Sequence, residues 1–115
     1  MIKTVEKQIV VLEKEIKAVI VYTDCGINAT VAGGDKSHIG SVAIVDEQGN
    51  LQSTTFPNHK ETIIAESWAK SLYEKYHQPV VVSAGIHYDG ITKSEIELII
   101  KGCEELKEII LTFHI

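Results

Sequence analysis

IKAVIVYTDCGINATVAG, residues 16–33, holds two apolar segments joined by a tight turn, and the way they pair decides the fold. Ile16 to Thr23 is apolar on both alternating faces, the pattern of a strand in the middle of a sheet. Asp24-Cys25-Gly26 is a turn by composition, and residues 27–33 return as a second strand. So short a connection leaves no room for a helical crossover, so the two strands pair antiparallel. Working outward, Gln8 to Leu12 reads as a strand before them, with Glu13-Lys14-Glu15 as an exposed turn. Residues 39–46 (IGSVAIVD) and 51–56 (LQSTTF) follow as strands around a Glu47-Gln48-Gly49-Asn50 turn. Consecutive strands with short turns predict an antiparallel meander.

After Phe56 the periodicity changes. Asn58 is placed as an N-cap, with Glu61 three residues later to close a capping box. A helix then runs from about His59 to Tyr76, with Ile64, Trp68 and Leu72 along one face. PVVVSAG, residues 79–85, is a compact buried strand that leads into a polar turn, Ile86 to Gly90. TKSE, residues 92–95, is a second capping box. It opens a helix whose apolar stripe is Ile96, Ile99, Ile100, Cys103, Leu106, Ile110 and Phe113. The expected fold is α+β: one domain over residues 1–115, in two layers, a largely antiparallel sheet with two helices packed on one face.

The chain carries 11 basic and 16 acidic residues, a net charge of −5, with no basic stripe. That excludes nucleic acid and anionic membranes as natural partners. Every basic residue is lysine, so a phosphate has to be met by ammonium groups, backbone amides or a metal rather than by an arginine fork. Two separated cysteines, Cys25 and Cys103, and no leader pattern at the start of the sequence suggest reduced thiols and a cytoplasmic protein. No apolar run approaches the ~18 residues of a membrane span. So small a core gains from association, and a homo-oligomer is expected.

Chemistry concentrates in three segments at element ends: Gly33 to Gly40, Asn58 to Glu61 and Ala84 to Asp89. Each holds a histidine: His38, His59 and His87. Gly33 and Gly34 let backbone approach a ligand, and successive amides there can form an anion nest beside Lys36. The first turn of the helix, near Lys60, offers a second anion site. Asp35 and Asp89 stand where they could orient His38 and His87, although both acids also suit simple Asx turns. No zinc spacing and no nucleophile motif is present.

Taken together, GGDKSHIGSVAI (33–44), HKETIIAESWAK (59–70) and VVVSAGIHYDGIT (80–92) resemble the prenylated-flavin chaperone family. Its type is the small D component encoded with gallate and other hydroxyaryl-acid decarboxylases, and the resemblance covers roughly residues 16–110. It implies a non-catalytic protein that binds prenylated FMN and protects it for, or delivers it to, such a decarboxylase. By position, the resemblance implies a cofactor site of Gly33, Gly34, Asp35, Lys36, His38, His59, Lys60, Glu61, His87 and Asp89. The alternative is a small metal-dependent enzyme with His38, His59 and His87 as ligands to a metal ion and Glu61, Glu66 or Asp89 as base.

Overall fold

Leu12 and Glu13 both take positive φ, 51° and 66°, the conformation of a two-residue hairpin turn whose twist matches its strands. In this computed structural model, which describes residues 1–57 and 61–113, that turn joins β1 (Lys3–Val11) to β2 (Lys14–Tyr22). The first strand is therefore longer than its apolar segment, and Lys14 and Glu15 belong to the second strand rather than to the turn. β3 (Ile27–Gly34) pairs antiparallel with β2, as the opening stretch predicts.

The meander then breaks. β4 (Lys36–Val45) does not pair with β3; β6 (Val80–His87) lies between them, parallel to β3 and antiparallel to β4. β5 (Leu51–Thr55) completes a six-stranded sheet in the order β1-β2-β3-β6-β4-β5. The cause is apolar demand. Val80, Val82 and Ala84 are fully buried, and a strand of this composition belongs at the centre of a sheet. β3 and β4 splay apart at Asp35 to admit it, and the Asp35 amide donates to the His87 carbonyl at 2.7 Å.

Helices α1 (Thr62–Tyr76) and α2 (Lys93–Thr112) cover one face. Ile64, Trp68 and Leu72 of α1 are buried, and so are Ile99, Cys103, Leu106 and Ile110 of α2. They pack on Ile16, Ala18, Ile20, Val31 and Ala43 from the alternate positions of the strands. Burial pushes the Cys103 thiol up to about 12, so it behaves as a small hydrophobe. The capping box of α2 forms as TKSE predicts: Thr92 accepts from the Glu95 amide and Glu95 accepts from the Thr92 amide. The start expected for α1 differs. Asn58 lies outside the described residues, and Glu61 occupies the N-cap with no side-chain cap bond. No described helix is long and apolar enough to cross a membrane.

Candidate functional site

The polar side chains meet where β4, β6 and the first turns of both helices converge. The segment from Gly33 to Gly40, expected as a loop, is strand on both sides of Asp35. Its distinctive feature is a bulge. Ser37 faces Ile86 and Ser41 faces Ala84, so β4 takes four steps where β6 takes two. Bulges re-aim side chains, and this one carries His38. Residue 85 has to be glycine, because a Cβ there would lie 1.6 Å from the His38 carbonyl oxygen.

His38 Nε2 donates to Glu61 Oε1 at 3.1 Å, and its Nδ1 lies 3.4 Å from the Lys36 carbonyl. An ionised carboxylate only accepts, which fixes the proton on Nε2 in this contact. Glu61 is thus turned from its expected capping role toward the bulge. His87 Nε2 pairs with Asp89 Oδ1 at 2.9 Å, the orienting contact anticipated for that pair. The His38 and His87 rings stand edge to face with centroids 6.3 Å apart. Asp35 does not orient His38. Its carboxylate accepts from the Asp89 amide at 2.9 Å and meets Lys14 at 3.4 Å. The Asp89 amide, with help from Lys14, holds the Asp35 carboxyl below its ordinary range. Asp35 therefore clamps the turn that carries His87 and Asp89.

Beside these groups opens a cleft of about 380 Å³ between the two helices and the end of the sheet. His38, Glu61 and His87 line it together with Tyr88 and seven isoleucines: 63, 64, 86, 91, 96, 99 and 100. Ile63 and Ile96, 63% and 40% exposed, stand at its mouth. Tyr88 is buried, which raises its phenol, and its hydroxyl donates to the Val11 carbonyl at 2.7 Å. The hydrocarbon wall is the part that sequence reasoning missed. Its signal was the pair of isoleucine-rich first turns, TIIAE and EIELII, with more isoleucine than a buried stripe needs.

Three other candidates, Gly33, Gly34 and Asp35, line a different groove with Glu15 and Lys17, on the face of the sheet away from the helices. The amides of Gly33 and Gly34 lie within the sheet ladder. Lys36 is exposed and faces His87 across the strand pair. His59 and Lys60 fall outside the described residues. Glu66 accepts from Ser53 at 2.6 Å rather than reaching the cleft. Among the described residues, no three His, Cys, Asp or Glu side chains gather closely enough to hold a metal ion.

Residues 12–113 match the sequence profile of the prenylated flavin chaperone LpdD-like domain, nearly the whole chain. The chain belongs to the prenylated flavin chaperone LpdD-like family. Protein LpdD of Lactiplantibacillus plantarum is 28% identical over 87 residues, covering 71% of this chain and 64% of that relative's length. A chain from a chaperone complex for yeast 20S proteasome assembly superposes with a TM-score of 0.60. It covers 96% of this chain and 98% of its own at 15% identity, a likeness of fold alone. In this chain, residues of all three quoted segments meet at the cleft. His38 and His87 adjoin at the cleft, and Glu61 brings the start of α1 to the same spot.

Proposed function

We propose that the chain is a non-catalytic carrier of prenylated FMN, holding the cofactor in the isoleucine cleft and passing it to an aromatic-acid decarboxylase. The cleft itself carries this reading. Cofactor sites are mostly apolar, run to about 300–1,000 Å³ and place a few polar groups to fix orientation. This cleft has that size and that division of labour. Its isoleucine wall suits the hydrocarbon that prenylation adds to a flavin, and each buried methylene contributes about 0.8 kcal/mol. His38 and His87 suit the heteroatom edge of the ring system as adaptable donors or acceptors. The phosphate then falls near the first turn of α1, whose leading amides have no partner within the helix. Because Ile63 and Ile96 flank an open mouth, a bound flavin is screened on three sides and can be released without unfolding.

Anaerobic titration of reduced prenylated FMN into the purified chain tests the reading. One equivalent bound at micromolar concentration is the expected result. The His87 side chain is exposed and meets only Asp89 and the edge of the His38 ring among the contacts described, so His87→Ala is expected to weaken uptake at least tenfold while leaving the circular dichroism spectrum unchanged. No uptake at tens of micromolar ligand ends the proposal.

A further inference from the structure

The sheet face away from the helices carries a surface that cofactor binding leaves unused. The register places Ile44 opposite Val81 in one cross-strand row, with Val21 two strands beyond. The adjacent row holds Val42 and Val19. From β2 to β5 these two rows give five strands with two outward positions each, and the other five are Asn, Gln, Ser or Thr. No position among the ten is charged. A solvated protein surface carries roughly 25–35% charged residues, so about three were due here. Ile44 is 43% and Val81 36% exposed, and among the described residues no element covers them.

Area and charge point to the occupant. Strands lie about 4.8 Å apart and same-face residues about 6.8 Å apart, so each outward position takes up about 33 Å² of the sheet plane. The strands together offer about two dozen such positions, close to the roughly 800 Å² per partner of a stable interface. The arrangement, an uncharged centre with charge at the rim, is that of an interface. The rim carries both signs: Lys17 lies 3.8 Å from Glu15, and Glu6 stands on the neighbouring strand. An acidic or basic partner would be met by a surface of the opposite sign. A chain of net charge −5 repels its own copy except where charge is missing and the rim is self-complementary.

We propose that two copies of this chain pack sheet to sheet through this face, giving a helix–sheet–sheet–helix dimer with the two isoleucine clefts on its outer layers. Aligned sheets pack about 10 Å apart with strands inclined near −30°. The dimer stands independently of the flavin reading, since the cleft lies on the other side of the sheet.

Sedimentation equilibrium on the full chain at 5–200 µM, without ligand and on an approximate concentration scale set by ordinary association constants, tests it. The expected result is twice the 12.7 kDa chain mass. Ile44→Lys and Val81→Lys each place a charge at the centre of the face and should give monomers with unchanged circular dichroism. Ser83→Lys, at a half-exposed position beside them, carries the same test should either variant fail to fold. A wild-type monomer throughout the range overturns the proposal, and so does a dimer that survives all folded variants.

Discussion

Gly85 shows how a residue's meaning depends on its neighbour across the sheet. In sequence, AGIH reads as the end of a strand entering a turn, and nothing local marks a bulge. The bulge is made by β4, more than forty residues earlier, whose His38 carbonyl occupies the space a side chain at 85 would need. Adding one methyl there forces backbone to move against backbone. Gly85→Ala is expected to cost about 2–3 kcal/mol in urea denaturation and to weaken flavin uptake by displacing His38. A variant as stable as the parent would show that the bulge is soft. The same dependence explains which side-chain pairings can be read from sequence and which cannot. His87 and Asp89 are two residues apart, so their pairing can be read locally. A local reading gives Glu61 only a helix cap, because its partner, His38, lies 23 residues away. Asp35 likewise serves a turn 54 residues distant.

At the scale of elements, what can be read is what closes within one turn of chain. The cap of α2 satisfies two orphan amides through residues three apart, so TKSE announced it. Thr92→Ala should cost about 1 kcal/mol by thermal melt, and Thr92→Ser much less. Contacts between elements carry no such spacing. Lys107 is buried between the helices, where it donates to Ser67 at 3.0 Å and meets Glu104 at 2.6 Å, while Ser67 donates to Glu104 at 2.7 Å. Burial alone would raise the Glu104 carboxyl, but the bonds from Lys107 and Ser67 outweigh it and hold the group below its ordinary value of 4.5. A carboxyl depressed by folding favours the native state when ionised. Its contribution is complete above the ordinary value and disappears as pH falls through the depressed one. Urea midpoints of the parent and Glu104→Gln should therefore differ at neutral pH and draw together as the pH is lowered below the ordinary value of 4.5. A constant gap would mean that the charge is not what matters. The side chain of Glu104 is 40% exposed, so the gap at neutral pH should be modest.

For the molecule as a whole, the two-layer α+β architecture followed from strand-like repeats giving way to two amphipathic helices, but the strand order did not. β6 arrives only after α1, and its place between β3 and β4 is set by burial of Val80, Val82 and Ala84 rather than by any short connection. That late insertion also builds the site. The cleft needs Ile64 from α1, Ile86 from β6 and Ile99 from α2 at once, so no single element contains it. A ligand bound there touches both helices and the sheet, and binds the native chain but not the unfolded one. Linkage then gives about 2.7 kcal/mol of added stability at a hundredfold excess over Kd. With a domain of about this size gaining 4–8 °C per kcal/mol, the midpoint should rise by roughly 10 °C or more. Thermal melts with and without reduced prenylated FMN measure the shift directly. Ile100→Asp, which puts a charge into the half-buried wall, should largely abolish it. A shift that survives this substitution places the ligand somewhere other than the cleft, because a carboxylate desolvated against hydrocarbon and a prenyl group cannot share that wall.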